Sequence, residues 1–148
     1  MKKVISIPPV YLFLSLFFSV AFFYLLPSLG LIEFPYNIFG LVVLLAGVFL
    51  NQRSWLLFRK HKTTFKFEKS TYFMKEGLYK YSRNPMYLGM VLLLLGIAIC
   101  LGNLVSLVPP VLFFVVIDQM FIPYEEEKME NTFGDEYLDY KGKVKRWL

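Results

Sequence analysis

The residues able to do chemistry gather at two places in this chain. Arg83-Asn84-Pro85-Met86-Tyr87 puts a cation, an amide, a proline and an aromatic hydroxyl directly ahead of an apolar run. Tyr124-Glu125-Glu126-Glu127 follows the next apolar run. Acidic residues at a helix end of this kind oppose the helix dipole and an anionic leaflet, so the triplet is favourable only beside a cation. Arg83 is placed to meet Glu126, in a partly desolvated setting where pairing matters more than on an open surface. Such a set serves either as a membrane anchor with belt tyrosines or as a binding site at the membrane surface, and it fixes no ligand. His61 is the sole histidine and Cys100 the sole cysteine. The chain therefore offers no metal-ligand cluster, no Ser-His-Asp or Cys-His pair, and no internal disulfide.

The elements that must position these residues follow from composition. Of 148 residues, 57% are hydrophobic and only 18% charged, with a mean hydropathy of +0.53. Soluble domains carry about 25% charged residues, and here the apolar residues come in long blocks. The fold class expected is all-α: one polytopic membrane helix bundle over residues 1–148. Four spans are predicted, at about 10–26, 35–57, 86–101 and 104–123, with a cytoplasmic loop over 58–85 and a cytoplasmic tail over 124–148. Pro8-Pro9 and Pro27 frame the first span, and Pro123 closes the last. The first block follows Met1-Lys2-Lys3 but exceeds a signal-peptide core and has no small-x-small cleavage site, so it is read as a retained span.

Orientation follows from lysine and arginine. Lys2 and Lys3 precede span one, and the link from Pro27 to Asn37 carries only Glu33. The link between spans two and three holds Arg59, Lys60, Lys62, Lys66, Lys69, Lys75, Lys80 and Arg83, and the tail adds Lys128, Lys141, Lys143, Lys145 and Arg146. The positive-inside rule places both termini and the middle loop in the cytoplasm, most simply of a cell (inner) membrane. Four spans agree with that in parity. The net charge of +5 lies beside apolar runs, so it points to anionic membrane lipids rather than nucleic acid.

Spans three and four, joined only around Gly102-Asn103, form a C-terminal antiparallel helical hairpin. This brings Arg83 and Glu126 to one membrane face. Gly89 and Gly96 share a helical face, as do Gly40 and Gly47, a spacing that permits close helix packing. Asp118 and Gln119 are costly on a lipid face and are expected to turn inward or reach the interface.

At these residues the chain resembles the isoprenylcysteine carboxyl methyltransferase and phospholipid methyltransferase group of integral membrane enzymes. That group has a Gly-x-Tyr followed by Arg-His-Pro-x-Tyr-x-Gly before a helical hairpin, and Glu-Glu-x-x-Leu-x-x-x-Phe-Gly-x-x-Tyr-x-x-Tyr after it. Gly77, Tyr79, Arg83, Pro85, Tyr87 and Gly89 match the first motif. Glu125, Glu126, Phe133, Gly134, Tyr137 and Tyr140 match the second, with Met129 for leucine. The resemblance covers about Thr71 to the C-terminus.

The resemblance implies S-adenosylmethionine as cofactor, bound near the cytoplasmic face. Carried over by position, its contacts fall on Tyr79, Asn84, Pro85, Met86, Tyr87 and Glu125, with the backbone of Thr71, Tyr72, Phe73 and Met74 contributing. Arg83 and Glu126 are expected as the pair that closes the pocket. Gly89 is expected to keep the next turn thin enough for the cofactor's close approach. Two positions depart from the pattern. Asn84 stands at the family histidine and cannot titrate. Phe121 stands where the prenylcysteine enzymes carry an arginine associated with the substrate carboxylate. The expected acceptor is therefore an apolar or amphipathic, lipid-like molecule arriving from the bilayer. The rival readings are an NADPH-dependent membrane reductase of sterol-reductase type and a non-catalytic membrane scaffold. Acceptor atom and oligomeric state are not legible.

Overall fold

The computed structural model describes residues 8–60 and 73–148. Its regular elements within these residues are helical: α1 (Pro8–Leu25), α2 (Phe39–Lys60), α3 (Pro85–Leu101), α4 (Val108–Val116), α5 (Ile122–Phe133) and α6 (Asp135–Lys143). Pro8–Leu25, Tyr36–Lys60 and Val105–Phe133 are long and apolar enough to cross a membrane, and Pro85–Leu101 is a shorter apolar helix. At 1.5 Å per residue α3 reaches about 25 Å, short of a hydrocarbon core of about 30 Å. The all-α membrane bundle expected from the sequence is the architecture found, with three full-length spans and one short one.

Side chains sort as they do in lipid. In α1, Phe13, Phe17 and Phe18 are exposed while Ser15 and Ser19 are buried. The small side chains let α1 approach the turn before α4, where Ser106 Oγ donates to the Ser19 carbonyl at 2.8 Å. The apolar centre lies between α3 and the α4–α5 run: Tyr87, Val91 and Leu94 pack with Phe113, Ile117, Phe121 and Ile122.

The tightest pairing is not the one expected for the hairpin. Gly40 and Gly47 of α2 face Gly96 and Gly89 of α3, and the two backbones touch. A Cβ on Gly47 would lie 2.5 Å from the Leu93 nitrogen, and one on Gly96 would lie 2.4 Å from the Leu44 nitrogen. Gly89 is used up in this way, against the Gly47 carbonyl and the Asn51 side chain. Its thinness admits α2, not a ligand, which corrects the role expected for it.

A second correction concerns the last span. Pro123 does not end it; helical structure runs from Val105 to Phe133. Proline has no N–H to give and clashes with the carbonyl four residues back. The chain absorbs this in a π-helical turn, Ile117–Phe121, after which the Ile122 N–H bonds the Ile117 carbonyl five residues back. The region read as a solvated tail from residue 124 therefore begins as a helical extension. It breaks at Gly134, in positive φ (+53°), and returns as α6. Residues 144–148 then cross the start of α3, with the Arg83 N–H bonded to the Lys145 carbonyl at 3.0 Å. At the other end of the bundle, the Gly102 carbonyl accepts from the N–H groups of Leu31 and Ile32, tying the α1–α2 connector to the α3–α4 link.

Candidate functional site

Ser82 and Pro85 set the entrance of α3. The Asn84 N–H donates to Ser82 Oγ at 3.1 Å, and Pro85 takes the first helical turn, where its missing N–H costs nothing. Tyr87 is thereby turned inward, and its hydroxyl donates to Glu125 Oε1 at 2.7 Å. One carboxylate oxygen of Glu125 remains for a further donor.

Adjacent positions on a helix point about 100° apart, so Glu126 faces a different neighbourhood. Arg83 Nη2 lies 2.9 Å from Glu126 Oε1, and the two side chains are only 9% and 6% exposed. The contact is ionic rather than well-aligned: Arg83 Nε and Glu126 Oε1 both lack a hydrogen-bond partner. Arg83 Nη1 also donates to the Lys141 carbonyl at 3.2 Å. The other Glu126 oxygen meets Arg146 Nη2 at 3.3 Å and Lys141 Nζ at 3.5 Å. Arg146 reaches on to Asp118 Oδ1 at 3.3 Å, to which Trp147 Nε1 donates at 2.9 Å. Lys141 also pairs with Glu130. The three cations and three carboxylates thus compensate one another, which makes sealing Glu126 from water tolerable.

Around this network stand tyrosines that keep their protons. Burial raises the Tyr79 hydroxyl well above the usual phenol range and does the same for Tyr137. Burial pushes Tyr140 up to about 12, with Arg83 pulling the other way. Burial disfavours the charge on Arg146, but Glu126 and Asp118 outweigh that and raise its pKa. Tyr140 Oη donates to the Tyr79 carbonyl at 2.6 Å, which pins α6 to the turn Gly77–Lys80.

The residues anticipated for a cofactor divide into groups. Tyr87 and Glu125 are in direct contact. Met74, Tyr79 and Met86 pack together with Phe58 of α2. Phe73 sits apart from these, among Met129, Tyr137 and Tyr140. Asn84 is turned to the C-terminal segment, its Nδ2 donating to the Arg146 carbonyl at 3.1 Å. Pro85 is buried at the helix start. Thr71 and Tyr72 lie outside the described residues. Asp118 turns inward as expected, while Gln119 is exposed. Sequence reasoning missed Lys141, Arg146 and Trp147 as neighbours of Glu126 and Asp118. The available signal was a tryptophan next to an arginine in what was read as a solvated basic tail. Phe121, 2% exposed, packs edge-on against Tyr11 with ring centroids 5.3 Å apart.

Residues 35–136 match the phospholipid methyltransferase family, well over half of the chain. Protein-S-isoprenylcysteine O-methyltransferase B of Arabidopsis thaliana is 29% identical over 112 residues, 72% of this chain and 55% of that protein. Protein-S-isoprenylcysteine O-methyltransferase of Schizosaccharomyces pombe is 36% identical over 87 residues, 57% of this chain and 36% of that protein. An uncharacterized protein of Haemophilus influenzae is 46% identical over 63 residues, 43% of this chain and the whole of that protein. The chain thus spans about half the length of the plant relative and about a third of the yeast one. No solved structure matches it significantly. With both motifs at one end of an apolar helix bundle, and a family match that spans them, the chain belongs to the phospholipid methyltransferase family of integral membrane proteins.

Proposed function

We propose that this protein is a membrane methyltransferase that uses S-adenosylmethionine and methylates a lipid-like or amphipathic acceptor at the cytoplasmic face. The observation that carries the reading is the Tyr87–Glu125 hydrogen bond at 2.7 Å, which joins the two motifs of the resemblance in space. The residues fit the cofactor's chemistry. Glu125 keeps an oxygen free to accept from an ammonium, and the buried Arg83 Nε and Glu126 Oε1 are left without hydrogen-bond partners. Tyr79 and Tyr87 offer aromatic faces to a cation or an adenine. Bound there, S-adenosylmethionine supplies an already activated methyl group. The chain's own part is to hold and orient. Tyr87 fixes the rotamer of Glu125 by donating to it, and the Arg83–Glu126 contact braces α3 against α5.

Two observations favour a lipid-like acceptor over a carboxylate. Phe121 places an aromatic ring in the core where the prenylcysteine enzymes carry an arginine. Arg146, the cation of the C-terminal segment, is already engaged by Asp118 and Glu126. Titration calorimetry of the purified protein in nanodiscs tests the reading. S-adenosylmethionine should bind and NADPH should not. Binding of NADPH alone would establish the reductase reading, and binding of neither the scaffold reading.

A further inference from the structure

Where α2 meets the turn Gly77–Lys80, the surface bears an open groove of about 480 Å³, separate from the Tyr87–Glu125 and Arg83–Glu126 contacts. Its lining combines apolar Phe49, Leu56 and Leu78 with the cations Arg53, Lys60 and Lys80. The Arg53 guanidinium stands over the Phe49 ring, 5.3 Å from its centroid. Lys60 has Glu76 at 3.8 Å, whereas among the described residues no carboxylate pairs with Arg53 or Lys80. Phe49 and Leu56 are themselves exposed, on the face of α2 turned away from α3.

Apolar side chains and unpaired cations on the outside of a membrane helix need opposite surroundings. Hydrocarbon suits Phe49 and Leu56 but penalises Arg53, and water does the reverse. A molecule carrying an anion at one end and an alkyl chain at the other satisfies both at once. Inorganic phosphate would leave the apolar half of the groove unfilled. We propose that this groove binds one anionic phospholipid, its phosphodiester against Arg53 and Lys80 and an acyl chain along Phe49 and Leu56. The site is independent of the methyl-transfer reading, since it shares no residue with Glu125, Tyr87 or Arg83.

Native mass spectrometry of the full chain, released from nanodiscs of phosphatidylglycerol and phosphatidylcholine with matched acyl chains, tests this. The wild type should retain one phosphatidylglycerol in at least about tenfold preference to phosphatidylcholine. Arg53→Gln/Lys80→Gln should bring that preference close to one, and Arg53→Lys should keep most of it. Inorganic phosphate at millimolar concentration should not displace the lipid. Equal retention of the two lipids by the wild type overturns the proposal, as does an undiminished preference in the double variant. Displacement by inorganic phosphate would reduce the site to a free-anion site and likewise overturn it. If the double variant does not fold, Lys80→Glu, on an exposed turn, serves instead and must lower the preference at least threefold.

Discussion

Glu125 and Glu126 are neighbours in the chain with separate tasks, and single substitutions should separate them. Glu125→Gln keeps the shape and the bond from Tyr87 but removes the charge. Losing one charge-assisted hydrogen bond costs about 1.5–3 kcal/mol, so calorimetry should show S-adenosylmethionine binding weakened about tenfold or more in a folded protein. Arg83→Ala and Glu126→Ala each strand a buried charge and should each cost about 3–5 kcal/mol. Measured by denaturation in detergent, the double variant should lose less than the sum, and strict additivity would refute the coupling. Tyr140 adds a pH dependence. Its proton is held more tightly folded than unfolded, so its contribution is intact below the ordinary phenol value of 10.0 and is lost as pH climbs through about 12. The thermal midpoint should fall across that window, and Tyr140→Phe should shallow the fall; an identical fall in the variant would sink the assignment. Arg83 and Glu126 were legible in sequence because charges beside apolar runs need partners. Arg146 was not, since nothing local says which way a basic segment after a helix break will turn.

Among the elements, the α2–α3 contact is where substitution should tell most. Gly47→Ala or Gly96→Ala drives a methyl against backbone, which cannot yield as a flexible side chain can. A loss of about 1–3 kcal/mol or more is expected from such overpacking, whereas Gly142→Ala meets open space and should be close to neutral. Thermal melts in one detergent compare the three; equal midpoints would show that the helices are not in backbone contact. The seven-residue glycine spacing announced a packing face but not its partner, because one helix's pattern carries no information about which neighbour shares it. Pro123 misled for a related reason. Proline ends a helix only if the preceding turn stays α-helical, and here a π-helical turn accommodates it. The short α3 was legible from the length of its apolar run alone.

For the molecule as a whole, the testable feature is its orientation. Basic residues flank one end of the bundle, and the connector from Pro27 to Asn37 holds only Glu33. Both termini are expected in the cytoplasm. With Cys100 replaced by serine, a cysteine at Ser28 should be labelled by an impermeant reagent in intact cells, and one at Lys143 should not. Efficient outside labelling at Lys143 would invert the arrangement. The bundle class was legible because hydropathy is a property of long stretches. The closure of the site by the segment after α6 was not, since it rests on contacts between residues more than 60 apart, such as Arg83 with Lys145.

The paired glycines also decide how the bundle can move. With backbone against backbone at two points seven residues apart, a one-residue slip of α2 along α3 would push a leucine or valine into a space that holds no side chain at all. Shear between these two helices is therefore closed off, and they behave as one stiff plate. Gly134 is the opposite case. A methyl placed there meets nothing within 4 Å, and its φ of +53° already departs from the helix on either side. Any breathing of the site is left to α6 swinging about Gly134, a hinge on the edge of a plate that does not slide.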